Sequence, residues 1–353
     1  MSAEARSPVV AVDVNGADDP SAAVAGVLRA AENGTQVLLF GDPASVGAAQ
    51  GHARVEVVSA PVSIAKDPDP ARAVRNHRDA SVVQAAVAVA ESRADALVSG
   101  GSTGAALAAG LFNVKRAKGI HRPALAVPLP IPGAAVTLLD VGANDVCRPE
   151  HLVQFASMGA ALASAVLGVD KPRVGLLSNG TEDTKGREEV VEAHARLSEA
   201  ARGGADAYTF VGNVEGFDIT AGIVDVLVTD GFTGNVTLKV MEGVSKGMIG
   251  YVRDAAMSST TSKIGGALLR PALRGLRDDL DPEAQGGAYL LGLRKLAIVP
   301  HGSFGAAGWE RAVERAALGV REDVIGRTYA SLESAGALRR APASDASDAV
   351  TSV

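Results

Sequence analysis

The stretch Val224 to Asn235, VDVLVTDGFTGN, runs from β-branched and apolar residues straight into Asp230, two glycines, Thr233 and Asn235. This pattern predicts a buried strand emptying into a tight polar loop, with a helix opening behind it over Val236 to Val244. In open α/β sheets, ligands bind at such junctions, at the carboxyl ends of strands. Gly231 and Gly234 can take positive φ and aim backbone N–H groups at an anion, and the N-terminus of the next helix favours the same charge. The chemistry this implies is capture of phosphate, although an ordinary strand-to-helix turn has the same composition. Four more apolar runs end alike: AVDVNGADDP with Asp13, Asn15 and Gly16; ALVSGGSTGAAL with Ser102, Thr103 and Gly104; LLDVGAN with Asn144; and VGLLSNGTEDTKG with Lys185. If their strands are parallel, the five loops gather along one edge of the sheet and share one site.

Lys185 is flanked by Glu182 and Asp183, so it is either a solvated lysine or a point charge reaching into that site to hold phosphate. The Gly-Lys-Ser/Thr ending of a P-loop is missing, and no G-x-G-x-x-G follows the first strand. Gly100-Gly-Ser-Thr-Gly104 matches the nucleophile-elbow pattern G-x-S-x-G, and Asp230 and His301 follow in the order of a hydrolase triad. Ser102 serves equally well as the cap of a helix starting near Ala105. His301, in Val299-Pro-His-Gly-Ser-Phe-Gly305, is a loop histidine bonded to backbone or a site residue. The other histidines, at 52, 77, 121, 151 and 194, show no metal-ligand spacing, so no metal is expected. Cys147 reads as a small buried residue rather than a nucleophile.

Bringing such loops together requires strands alternating with helices, and the pattern supplies them. Val9 to Asp13, Val37 to Phe40, Val55 to Val58, Ala96 to Ser99, Thr137 to Asp140, a run from Val174, Ala207 to Val211 and 224 to 229 read as strands. Ser21 to Glu32, Ser81 to Ala90, Ala105 to Val114, His151 to Leu167 and Glu188 to Ala200 read as helices, the first entered through Asp19 as N-cap and Pro20. The Pro-rich Arg122 to Pro132 reads as an extended connection. Ser262 to Leu280 differs in kind: Ile264, Leu268, Leu269, Leu273, Leu276 and Leu280 recur at helical spacing, with Lys263, Arg270, Arg274 and Arg277 at other positions. Pro271 should break this segment into two short helices forming a hairpin. Its leucines and arginines suit packing on a dimer partner or the core, reversible contact with a membrane surface, or reception of an acidic carrier.

With 353 residues, 47% hydrophobic and 21% charged, the chain buries a large core. Forty glycines and only 3% aromatics suit an α/β protein packed with Ala, Val and Leu. We expect a three-layer α/β/α sandwich with a mainly parallel sheet, forming one domain over 8–335 that includes a protruding helical element at 250–285, then a disordered tail over 336–353. No apolar run is long enough to span a bilayer, MSAEARSPVV lacks the features of a signal peptide, and one cysteine cannot form an internal disulfide, so a cytoplasmic location is expected. A net charge of -6 argues against nucleic-acid binding.

Taken in order, the motifs resemble the phosphate acyltransferase family (acyl-ACP:phosphate acyltransferase) of bacterial phospholipid synthesis over about residues 8 to 330. DVNGADDP stands for that family's Asp-Ala-Met-Gly-Gly-Asp start and SGGSTGA for its Ser-Ala-Gly-Asn-Thr-Gly-Ala, while LLDVGAN, the Lys185-Gly186 loop, GNVEG, TDGFTGN, GGAYLLG (286 to 292) and HGS (301 to 303) match closely. Asn15 and Ala17 replace Met and Gly, Gly101 and Ser102 replace Gly-Asn, Thr181 and Asp183 soften an acidic run before Lys185, and the stretch from Arg75 to Arg78 keeps part of a basic pattern. The resemblance implies transfer of a long-chain acyl group from acyl carrier protein to inorganic phosphate, giving acyl phosphate for a membrane glycerol-3-phosphate acyltransferase. It also implies Lys185 and Asn235 as the catalytic residues and a homodimer with the isocitrate and isopropylmalate dehydrogenase fold. No nicotinamide or other cofactor is expected. Phosphate is already nucleophilic, so such an enzyme must desolvate and position it, which takes several charged hydrogen bonds of about 1.5 to 3 kcal/mol each. A serine hydrolase at Ser102 and a noncatalytic lipid- or carrier-binding module remain the rival readings.

Overall fold

The computed structural model describes residues 7–131, 134–204, 207–279 and 281–339. Its strands are β1 (Val9–Asp13), β2 (Gln36–Gly41), β3 (Val55–Ser59), β4 (Ala96–Ser99), β5 (Ala124–Ile131), β6 (Ala134–Leu139), β7 (Arg173–Leu177), β8 (Thr209–Val214), β9 (Val226–Val228), β10 (Ala288–Leu291) and β11 (Leu296–Val299). The helices are α1 (Pro20–Glu32), α2 (Pro43–Val46), α3 (Pro70–Asn76), α4 (Ser81–Ala90), α5 (Thr103–Ala109), α6 (Pro149–Leu167), α7 (Glu188–Arg202), α8 (Gly231–Met257), α9 (Thr260–Asp279), α10 (Ala306–Arg321) and α11 (Val324–Ser334). A single π turn, Gly110–Val114, prolongs α5.

All the strands join one sheet in the order β3-β2-β1-β4-β11-β10-β5-β6-β9-β7-β8. Alternate residues enter two cores, as a pleated strand buried on both faces requires. Val10, Val12, Leu39 and Val98 pack with α1, α6 and α10, whereas Ala11, Leu38, Phe40 and Leu97 pack with α4 and α5. The result is the expected α/β/α sandwich with a mainly parallel sheet.

Strand direction departs from expectation. β3, β2, β1, β4 and β11 are mutually parallel, as are β6, β9, β7 and β8. Between the two blocks lie three antiparallel steps, β11-β10, β10-β5 and β5-β6. An odd number of reversals makes the blocks run oppositely. The loops after β1, β4 and β11 therefore leave one edge, those after β6, β7 and β9 leave the other, and the five loops do not share an edge. The reversal depends on 124–131, which is a strand and not a connection. Pro128 and Pro130 are tolerated there because β10 pairs only with Ala124 to Ala126, so beyond that point β5 has a single ladder, with β6.

The helix after β9 begins at Gly231, five residues earlier than expected, because Asp230 caps it through Thr233 N (2.9 Å). Gly231 and Gly234 are thus helical, and positive φ falls instead at Gly101 (98°), Gly142 (136°) and Gly186 (105°). What Gly234 and Gly231 provide is close approach: a Cβ on Gly234 would lie 1.9 Å from the Asp140 carbonyl oxygen, and one on Gly231 2.6 Å from that of Asn144. α9 runs unbroken through Pro271, so the hairpin consists of α8 and α9, not of two halves split at the proline. The carbonyl Pro271 leaves unbonded belongs to exposed Ala267, where water serves it. Of the expected tail, residues 336–339 are ordered on the fold, where Gln154 Nε2 donates to Ala337 O (2.7 Å) and Arg339 N to Gly119 O (2.8 Å); residues 340–353 lie outside the described ones.

Two glycines of α8 should respond oppositely to alanine. Gly234→Ala meets backbone and should destabilise by about 3 kcal/mol, whereas Gly243→Ala, with nothing within 4 Å, should stabilise by about 0.5–1 kcal/mol. Thermal melting checks both; a Gly234→Ala protein as stable as the parent contradicts the close approach.

Candidate active site

At the edge formed by β6, β7 and β9, the turn after β6 is built on a buried carboxylate. Asp140 Oδ1 accepts the backbone N–H groups of Leu125 (2.9 Å), Gly142 (3.2 Å) and Ala143 (3.0 Å), and Oδ2 accepts Asn144 N (2.7 Å) and Asn144 Nδ2 (2.8 Å). Burial pushes this carboxyl above its ordinary value, and these hydrogen bonds pull against the rise. Asn144 continues outward: its Nδ2 also donates to Pro123 O (2.7 Å), and its carbonyl accepts Gly231 N (2.7 Å). Asn144 is therefore a brace between loops.

Asp230, 3% exposed, accepts Thr233 N (2.9 Å) and Thr233 Oγ1 (2.8 Å) and pairs with the Arg187 guanidinium. It holds the start of α8, its oxygens taken up by these donors. Gly231 N, Thr233 N and Gly234 N all have protein acceptors, which leaves Phe232 N–H as the open donor of the first turn. Asn235 follows within the helix. One of its amide hydrogens goes to Val141 O (3.0 Å), and the other is available to a substrate oxygen.

Lys185 is exposed, on the neighbouring loop after β7, and its ammonium makes no ion pair among the described residues. Asn213 Nδ2 holds that loop by donating to Glu182 O (2.7 Å) and Lys185 O (3.3 Å). Its aliphatic stem lies over Gly180, whose Cβ would come within 2.7 Å of Lys185 Cγ. Arg187, two residues on, ties the loop to Asp230 and so to the helix that carries Asn235. A free ammonium and a half-satisfied amide are thus set on adjacent, cross-linked loops.

The opposite edge gathers the other expected residues. Asp13, 3% exposed, accepts Asn15 N (3.1 Å) and Ser99 Oγ (2.8 Å). The Asn15 side chain is consumed by Ala60 O (2.6 Å) and Asp42 N (2.8 Å), so it braces β2 and β3. Gly16 touches Gly100 and Gly101, and Gly302 O accepts Asp18 N (2.8 Å). Ser102 Oγ caps α5 by accepting Ala105 N (3.2 Å), with Thr103 and Gly104 in the first turn. The crevice beside Asp13, Ser63, Ser81, Ser99 and Ser102 has room for about one water (10 Å³), too little for phosphate or an acyl chain. His301 Nδ1 meets Ser303 Oγ (2.8 Å), and no hydrogen bond among the described residues joins Ser102, His301 and Asp230. The rival triad that motif order offers is not assembled among the described residues, because Asp230 belongs to the opposite block. Cys147 is buried, with its thiol pushed up to about 12 by burial and by Asp140 and Asp230.

Residues 9–327 match the fatty acid synthesis protein family. A phosphate acyltransferase from Geobacillus thermodenitrificans is 43% identical over 329 residues, covering 92% of this chain and 98% of that protein. That of Bacillus subtilis is 42% identical over 324 residues, covering 89% and 95%. The chain belongs to the phosphate acyltransferase family. As a phosphate acyltransferase it is an acyltransferase of fatty acid synthesis with phosphate as acceptor. Among solved structures, phosphotransacetylases from Streptococcus pyogenes (TM-score 0.59, 17% identity, 90% of this chain and 94% of that one) and Staphylococcus aureus (0.58, 18%, 89% and 94%) share the fold.

Motif reading missed Asp140, Arg187 and Asn213 as organisers of this phosphate acyltransferase's loops. Asp140 had a local signal, an Asp followed by Gly-Ala-Asn that can receive its own turn's N–H groups; Arg187 and Asn213 act across strands and had none. The fold also brings His121, Glu150 and His151 together, with ligand atoms within 4.8 Å of one another, which sequence spacing did not foreshadow. Burial lowers both imidazoles. His151 Nδ1 accepts Arg148 N (3.2 Å), which puts the ring proton on Nε2 and leaves no lone pair there for a metal.

Burial also pushes the Asp13 carboxyl up. A raised folded-state value means this group's stabilising contribution is complete below the unfolded value of about 3.9 and is lost as pH rises through the folded value. Asp13→Asn should therefore flatten the melting temperature against pH from about pH 4 upward; parallel profiles for parent and variant would contradict the shift.

Proposed function

We propose that this protein transfers a fatty acyl group from the thioester of an acyl carrier protein to inorganic phosphate, at the edge formed by β6, β7 and β9. A phosphate oxygen attacks the thioester carbonyl carbon, the C–S bond breaks, and the proton of HPO₄²⁻ ends on sulfur. The products are acyl phosphate and carrier thiol. No protein nucleophile is required, which fits a capped Ser102 and a buried, protonated Cys147. Lys185 holds the phosphate by charge, and the spare Asn235 N–H meets the oxyanion of the tetrahedral intermediate. The observation that supports this reading is that the loop of Lys185, whose ammonium makes no ion pair among the described residues, is tied through Arg187 and Asp230 to the helix that carries the half-satisfied Asn235 amide. Acyl phosphate would pass to a membrane glycerol-3-phosphate acyltransferase.

Incubating acyl carrier thioester with and without phosphate tests the reaction: carrier thiol should be released only with phosphate, with acyl phosphate appearing by phosphorus NMR, and phosphate-independent thioester loss would favour a hydrolase. Lys185→Ala and Asn235→Ala should each lower the rate by about 10²–10³-fold, with melting unchanged for Lys185→Ala and a loss of about 1 kcal/mol for Asn235→Ala, which also removes the bond to Val141 O. Near-normal rates in either would remove that residue from the mechanism.

The α8–α9 arm suits a product that is hydrophobic and easily hydrolysed. No helix among the described residues is long and apolar enough to cross a membrane. The arm instead displays Ile264 (63% exposed), Leu268 (79%) and Leu269 (58%) beside exposed Arg270 and Arg274, while Leu273 is half-buried and Arg277 lies further along the helix. Each leucine entering lipid contributes roughly 1.5–3 kcal/mol and each interfacial arginine about 1 kcal/mol, enough for reversible attachment. On α8, Val236, Val240, Val244 and Met248 form a second exposed stripe at four-residue spacing, fit for a second copy in a homodimer. Leu268→Glu/Leu269→Glu should stop the protein floating with anionic vesicles while leaving the dimer intact; unchanged flotation excludes the membrane role.

A further inference from the structure

We propose that the edge carrying Lys185 and Asn235 also bears a docking ridge for an acidic protein surface, that of the acyl carrier. This rests on the carrier being the acyl donor, as proposed above. The ridge consists of Lys115, Arg116, Lys118, Arg122, Arg294 and Lys295. α5 descends from the far edge and ends at Lys115, and the turn from β10 to β11 meets it there. Arg294 N donates to Lys115 O (3.0 Å), and Arg116 forms an antiparallel bridge with Leu293. Among the described residues, none of these six cations has a carboxylate within 4.0 Å. Glu150, at the same edge, already faces Arg148 (3.9 Å) and Arg196 (4.0 Å).

A chain of net charge -6 thus keeps a strip of unpaired positive charge. Like charges in a strip repel one another, and folding gives no reason to gather them. Lys115 adds an independent sign: its backbone sits at φ 71°, ψ 155°, a conformation that glycine alone enters freely, yet the position holds an exposed lysine. The ridge is wired to the site. The Arg116 guanidinium donates to His121 O, and two residues later Pro123 O accepts Asn144 Nδ2 (2.7 Å), the brace that also holds Gly231. Ile120 and Leu293, the large apolar residues between the cations, are buried, so the ridge offers nothing to insert into lipid. Charge without apolar anchors fits a steered, quickly released acidic protein.

The test compares the parent with Lys115→Glu/Lys118→Glu/Arg294→Glu, three side chains outside the catalytic group. At low ionic strength, kcat/KM with acyl carrier thioester should fall at least ~10-fold, and added salt should slow the parent more than the variant. kcat/KM with acyl-pantetheine, which lacks the acidic protein, should stay the same. Fluorescence anisotropy of labelled holo-carrier reads docking without turnover, and should show the same loss. Retained carrier binding overturns the ridge, as does loss confined to anionic vesicles. If neither thioester yields acyl phosphate in the parent, the proposed reaction fails, while anisotropy still decides the docking.

Discussion

The first turn of α8 lies against the turn after β6 with backbone on backbone, and the site depends on that contact. Gly234 faces the Asp140 carbonyl where even a methyl group has no room, and Gly231 N–H closes on Asn144 O. The approach is possible because Asp140 has drawn its own turn into a tight coil, taking N–H groups that would otherwise point outward. A buried carboxylate is costly unless its acceptor sites are filled, and here four backbone N–H groups and one amide fill them. Asn235 then emerges one turn into the helix at a position set by backbone, not by a flexible loop. In the proposed role as oxyanion donor, Asn235 would gain from that rigidity, since oxyanion stabilisation falls off steeply with misplacement.

The second constraint is the reversal at β10, β5 and β6. In a flat sheet it would set the two groups of loops back to back. Sheet twist rotates neighbouring strands by roughly 20–25°, but the loops after β1, β4 and β11 and those after β6, β7 and β9 keep opposite edges. The division of labour is still sharp. The β1 and β4 loops spend their polar groups on one another, whereas the β7 and β9 loops leave an ammonium and an amide hydrogen unspent.

Much of this was legible before folding. Apolar and β-branched runs ending in Gly, Asn, Ser, Thr or Asp located most strands and the loops that follow them, and Lys185 and Asn235 stood out in their motifs. What failed did so for identifiable reasons. Pro128 and Pro130 argued against a strand, and nothing local says that β10 stops short of them. The reversal was hidden as a result, and with it the fact that Ser102 and Asp230 belong to opposite blocks. Glycines at 231 and 234 suggested a loop because glycine's freedom and glycine's smallness look the same in sequence; only the carbonyl of Asp140 distinguishes them. Pro271 failed in the opposite sense, since an exposed helix can lose one hydrogen bond to water and continue.

α8 connects these levels. Its 27 residues span about 40 Å, beginning at the buried cap on Asp230 and ending in the exposed arm. Its first three turns are held by the core, with Leu238 and Met241 packed against it; beyond them α9 covers part of the helix, and Val244, Met248, Tyr251 and Met257 stay exposed to solvent. A partner that covers the stripe, whether a second copy or a lipid surface, would therefore act on a rod whose other end carries Asn235. Any tilt of that rod is opposed at Gly234, where there is no space to give. In the proposed reaction the close contact would do two jobs at once: it would set the amide against the reacting carbonyl, and it would isolate that geometry from the motion of the arm.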